Sequence, residues 1–214
     1  MVSRVAEEFH KTNGTDVVVQ VGTVGQIQKR LEAGERADVV IVSAAALKSL
    51  DEAGELLAHA PLGRSGMGIG VRAGTPHPDL SSTAAFRQVL LHAHRIATTD
   101  PASGATSGTY FAQLVHKLAM DDAVIPKEIL VRGGPACTII VQGKADICAQ
   151  NITEILQVPG VDLAGPFPAA IQNYITYSAG VLKHAASPDT ATAFIHALRA
   201  PERAAQWREA GFEP

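Results

Sequence analysis

The stretch DVVVQVGTVGQIQKRLEAGERADVVIVSAAALKSLDEA, Asp16 to Ala53, decides the fold class. Residues 16–21 form a near-continuous apolar run, the pattern of a strand covered on both faces. Residues 25–33 place Ile27 and Leu31 on one side of a helix. Residues 37–42 repeat the buried-strand pattern, and 44–53 repeat the helical one. Strand, helix, strand and helix with short joints predict a parallel sheet with right-handed crossovers.

Upstream, residues 1–14 read as an amphipathic helix with Val2, Val5, Ala6 and Phe9 on one face and Gly14 as its stop. Downstream, residues 60–78 break the rhythm with five glycines and three prolines. Residues 66–72 are expected to be a strand leaving a first unit for a second. Alternation then resumes, with a helix from Ser82 to 92, a strand at 95–98 and a helix at 106–119. A strand at 129–132, a helix at 135–142, a strand at 145–149 and a helix at 152–157 follow. Residues 172–181 read as an extended return crossing, Ser187 as the cap of a helix to 200, and Pro201 as the first turn of the last helix. The expectation is a two-lobed α/β fold, each lobe a mainly parallel sheet flanked by helices. Residues 1–70 and 180–214 form one lobe and 71–179 the other.

Composition narrows the function. The 214 residues are 46% hydrophobic and 18% charged, enough apolar side chain to repay the entropy of ordering. A formal net charge of −3 gives no global attraction to nucleic acid or anionic lipid. No apolar run approaches the roughly 20 residues of a membrane span, so no membrane insertion is expected. The start has no basic segment followed by an apolar stretch and a cleavage site; as written, the chain is expected to be soluble and cytoplasmic. Cys137 and Cys148 lack metal-ligand spacing and are expected to be structural thiols, not a disulfide framework.

In open parallel sheets ligands bind where strands end and helices begin, because free N–H groups and the helix dipole favour anions there. Those junctions hold Gly22, Thr23 and Val24; Ser43; the run Asp100 to Gly108, with Ser103, Gly104, Thr106 and Ser107; Pro135 and Ala136; and Gln150 and Asn151. Nearly all are small, hydroxylated or amide residues. Each alone is explained by helix capping; five in register point to a hydroxyl-lined site for a small anion. Asp100 before Pro101 is either a turn cap or a candidate base. Arg132, at a strand end, pairs either with a ligand carboxylate or with a nearby acid. Other motifs fail. Gly68 to Ala73 fits a loose dinucleotide fingerprint but is followed by no helix. Gly143-Lys144 lacks the rest of a phosphate loop, and His92 and His94 read as a solvated helix end. No metal site and no cofactor are expected.

The segments GTVGQIQKRLEAGERADVVIVS, TDPASGATSGTYFAQLV and RAPERAAQWREAGFEP, in that order, resemble type 2 periplasmic solute-binding proteins, closest to the molybdate-binding-protein-like branch. The resemblance covers nearly the whole chain. It implies a Venus-flytrap fold closing on a small anion held by hydroxyls and amides, an ABC permease as partner, and a periplasmic location. Its contacts fall at Thr23, at Thr106 and Ser107, and at Pro135 and Ala136. The family's tyrosine aligns near Ala149 and Gln150 and is absent, which counts against molybdate itself; amide groups at Gln150 and Asn151 suit an organic acid. The TDPASG-type loop also looks like that of aconitate isomerase, which implies an alternative activity, a proton shift in an unsaturated tricarboxylic acid. A sensor domain that kept the fold and lost transport is a third possibility. Family members open with a strand before the first helix. This chain starts inside that helix, so a first strand and an export signal are expected to be missing from it.

Overall fold

A computed structural model describes residues 1–22 and 24–213. In chain order the elements are α1 (Val2–Asn13), α2 (Val24–Glu32), β1 (Val39–Ser43), α3 (Ala44–Glu52), β2 (Leu56–Arg72), α4 (Thr83–His92) and β3 (Ile96–Thr99). They continue with α5 (Thr106–Lys117), α6 (Asp121–Val124), β4 (Glu128–Val131), α7 (Thr138–Val141), β5 (Ile147–Asn151) and α8 (Ile152–Ile155). The last four are β6 (Val161–Pro166), β7 (Tyr174–Leu182), α9 (Pro188–Leu198) and α10 (Ala204–Glu209). The chain divides into two compact units, Met1–Arg64 with Ile175–Pro214, and Ser65–Tyr174.

The first unit is built on β1 and β7, paired antiparallel from Val39↔Val181 to Ser43↔Tyr177. Helix α1 buries Val5, Ala6 and Phe9 and ends at Gly14, whose φ of 68° is the left-handed turn that glycine adopts freely. Those residues pack with Phe194, Ile195 and Leu198 of α9, Phe9 meeting Phe194 edge to face at 5.4 Å. Trp207 of α10 is buried in the same core and donates its indole N–H to the Leu198 carbonyl at 2.8 Å.

The second unit carries a mixed sheet. Strand β3 pairs parallel with β4 and with β5, while β2 pairs antiparallel with β5 and β6. Phe86, Phe111 and Phe167 form the centre of its largest core, with ring centroids 4.7 and 6.4 Å apart. Helix α5 lies so close to β3 that a Cβ on Gly108 would stand 2.0 Å from the Thr99 carbonyl oxygen.

Several sequence expectations change. Residues 16–21 are not a strand. The segment has β-forming residues but no ladder partner among the described residues, and Val18 and Val21 are 83% exposed. Between it and β1, which among the described residues pairs only with β7, runs a groove of about 540 Å³ lined by Val17, Val19, Ile27, Leu31, Val39 and Ile41. Strand β2 starts at Leu56, ten residues before the expected strand, and β6 was not anticipated. Helix α7 begins at Thr138, which leaves Pro135 and Ala136 in the preceding turn. Strand β5 runs on through Gln150 and Asn151. The cysteines are not thiols: Cys137 and Cys148, eleven residues apart with Cα atoms 5.2 Å apart, form a disulfide. Their spacing hides this because one sits in the turn before α7 and the other inside β5.

Candidate functional site

Because β3, β4 and β5 run parallel, their C-terminal ends share one edge of the second unit. The segments that leave this edge are Asp100–Thr106, Arg132–Cys137 and the start of α8. At this edge stand Asp100, Ser103, Gly104, Thr106, Ser107, Pro135, Ala136, Gln150 and Asn151, nine of the expected site residues.

Hydrogen bonds knit the three segments together. The buried Gln150 side chain donates from Nε2 to Thr99 Oγ1 at 3.4 Å and accepts from the Cys137 backbone N–H at 3.4 Å. Thr99 Oγ1 in turn lies 3.4 Å from Ser107 Oγ, which is also buried. Gln150 Nε2 also donates to the carboxylate of Glu154, in α8. Asn151 Oδ1 and Thr98 Oγ1 are buried with no hydrogen-bond partner among the described residues. A buried acceptor without a donor carries a desolvation penalty, and such groups mark sites that a ligand or water completes.

Helix α5 starts at this edge without a side-chain cap. Its N-cap is Ala105, so the first-turn N–H groups face outward with the positive end of the dipole. Thr106 opens that turn and is exposed.

Two charged groups have fixed roles. Asp100 accepts from the Ala102 N–H at 2.8 Å and from Arg132 Nε at 2.5 Å. The Arg132 guanidinium, and then the Ala102 N–H, hold its carboxyl below the ordinary range. Asp100 therefore serves as the turn cap, its carboxylate engaged by the Ala102 N–H and Arg132. Arg132 pairs with that acid. Ser103 Oγ donates to the Asp100 carbonyl at 2.6 Å, and Gly104 closes the turn with φ 74°. Glu154 behaves oppositely. Burial pushes its carboxyl up, and hydrogen bonds from Gln150 and Asn151 offset only part of that. Sequence reading missed Glu154, Thr99 and Cys137. The available signal for Glu154 was its place in the helix that opens directly after the Gln150–Asn151 junction.

The first-unit residues stand elsewhere in the chain. Ser43 caps α3, accepting from the Ala46 N–H at 3.3 Å, which leaves its O–H free to donate. Gly22 and Val24 are half-buried around the start of α2. Thr23 lies outside the described residues.

A family model described as bacterial extracellular solute-binding protein matches residues 1–213. The chain belongs to that family. Aconitate isomerase from Pseudomonas sp is 28% identical over 221 residues, covering 100% of this chain and 83% of that protein. The molybdate-binding protein ModA of Escherichia coli K12 is 24% identical, covering 97% of this chain and 82% of its own length. Among solved structures, the periplasmic molybdate-binding protein of Azotobacter vinelandii superposes with a TM-score of 0.80 at 19% identity, covering 100% of this chain and 94% of that one. The fold is thus that of the molybdate-binding type of solute-binding protein. Among the described residues no helix is long and apolar enough to cross a membrane, and no group of His, Cys, Asp and Glu could hold a metal ion.

Proposed function

We propose that this member of the solute-binding family is the receptor of an ABC-type uptake system and takes a small oxyanion or organic carboxylate. One observation carries the reading: three segments at a single sheet edge present hydroxyl, carboxamide and backbone N–H groups beside an uncapped helix, while the cation there, Arg132, is engaged by Asp100. Such a site recognises negative charge through dipoles and neutral donors. Families that include molybdate-binding proteins support an oxyanion. The carboxamides of Gln150 and Asn151, where the family's tyrosine is absent, support a carboxylate. An extracytoplasmic location belongs to this proposal, supported by the disulfide, since disulfides persist in oxidising compartments. Titration calorimetry with molybdate, tungstate, sulfate, citrate and trans-aconitate tests it. The expected result is one ligand with a Kd near or below about 1 µM, on the order of −8 kcal/mol. No heat with any of the five rejects the receptor reading.

A second reading is favoured by Glu154. A partly buried carboxyl with a raised pKa, held by Gln150 beside the same edge, is placed for acid–base work, and the 28% relative is named an aconitate isomerase. Incubation with cis- or trans-aconitate, followed by ultraviolet absorbance, decides it. A steady change lost in Glu154→Gln supports isomerisation, and a flat trace removes it.

A further inference from the structure

We propose that the Cys137–Cys148 disulfide is a positioning cross-link for the anion site, and that it holds the backbone of the 133–137 turn in register with Gln150. The proposal rests on the location of the site given above.

The turn's own hydrogen bonds are local: the Thr138 N–H and Oγ1 both donate to the Pro135 carbonyl, at 3.2 and 2.8 Å. Gly133 and Gly134 have φ of 70° and 144°, conformations open to glycine and to few other residues. Helix α7 beyond the turn has four residues, too few to be stable by its own hydrogen bonds. Besides the burial of Ala136 in one cluster with Ala97 of β3, the turn is tied to the sheet by the covalent bond from Cys137 to Cys148 in β5 and by the 3.4 Å hydrogen bond from the Cys137 N–H to Gln150 Oε1. Gln150 is two residues beyond Cys148 on the same strand, so the cross-link and the hydrogen bond act side by side. Gln150 also reaches Thr99 and Glu154, so movement of the turn changes the orientation of the central carboxamide.

The packing is built around the sulfurs. Both cysteines are fully buried in a cluster with Ala97, Ala136, Ile140 and Ile155. On β2, a Cβ at Gly70 would stand 2.7 Å from Cys148 Sγ, so the neighbouring strand is kept bare at that point. Burial also protects the bond in the folded protein. Iodoacetamide therefore labels neither cysteine until reductant and denaturant are added together.

The test compares the oxidised protein with two variants, Cys137→Ala/Cys148→Ala and Cys137→Ala/Cys148→Val. The second refills part of the space left by the sulfurs and guards against simple loss of folding. The first readout is amide hydrogen exchange. Protection at Ala136 and Cys137 is expected to fall at least tenfold in both variants, while Phe111 and Leu114 of α5 keep theirs. The second readout is calorimetry with molybdate and with trans-aconitate, where the ligand bound by the oxidised protein is expected to bind about tenfold more weakly to both variants. Unchanged protection at Ala136 and Cys137, or unchanged affinity in a variant that has lost that protection, overturns the positioning role. If the oxidised protein binds neither of these anions, nor tungstate, sulfate or citrate, the receptor reading fails, and the exchange experiment still decides whether the cross-link holds the turn.

Discussion

The two units use helix starts that look alike in sequence for different ends. In the first unit Ser43 ends β1 and its hydroxyl caps α3, accepting from Ala46 N–H. In the second unit Ala105 precedes α5 and offers no side-chain cap, while Ser107, the second residue of the helix, points its hydroxyl to Thr99 in a buried polar network. A serine at a strand–helix junction either satisfies its own helix, as Ser43 does, or joins a hydrogen-bond network with a neighbouring strand, as Ser107 does. The same contrast holds for close packing. Gly108 of the second unit faces a backbone oxygen at 2.0 Å, whereas Gly180 of the first faces the Leu47 and Leu56 methyl groups at 2.9 and 3.0 Å.

Glycine exchange gives the largest separation. Gly108→Ala drives a methyl into the Thr99 carbonyl, which cannot retreat without parting α5 from β3; a loss of about 3 kcal/mol or more is expected in denaturant melts. Gly180→Ala meets side-chain ends that rotate away, and a loss of about 1 kcal/mol is expected. Equal losses would mean that α5 and β3 separate readily.

The serine pair sharpens the distinction. Ser43→Ala removes a cap and is expected to lower stability by about 1 kcal/mol, with ligand affinity unchanged. Ser107→Ala is expected to weaken anion binding about tenfold at a stability change below about 1.5 kcal/mol, the net worth of one hydrogen bond. The reverse pattern would move the site out of the second unit.

Proton linkage is the smallest effect and distinguishes the two acids. Asp100 is held below its ordinary pKa in the fold, so its contribution is present above the unfolded carboxylate pKa and is lost as pH falls through the lowered value. Arg132→Gln is expected to move the acid limb of a stability–pH curve upward. Glu154 is raised, so its folded state binds the proton more tightly, and its contribution is full below the unfolded pKa and fades as pH climbs through the folded one. Glu154→Gln is expected to flatten that decline, and a curve indifferent to both substitutions would contradict these assignments.

Much of the architecture was legible in the chain because its signals are local. Helix α1 was visible from its apolar face and Gly14, and α4 from Ser82, whose hydroxyl accepts from the Ala85 N–H at 3.1 Å. The order of β3, α5, β4 and β5 followed from alternation alone. What escaped depends on partners distant in sequence. Residues 16–21 carry strand-forming valines, yet a strand exists only through its neighbours. In β2 the strand at 66–72 was legible, but its start at Leu56 was not, and the close packing behind Gly68 and Gly70, where a Cβ would meet Leu163 and Ile152, or Cys148 and Val161, at 3.0 Å or less, shows only in the structure. At the site, the edge residues were readable from their small, hydroxylated character. Glu154 and the disulfide were not, because their roles come from what surrounds them across the sheet.

The single tryptophan of the chain lies at position 207 in the first unit's core. Its emission therefore reports on that half alone, and melting of the other half is silent in it. Circular dichroism and fluorescence recorded on one sample become two separate thermometers. A gap between their midpoints measures how far each half unfolds on its own, without any label being introduced.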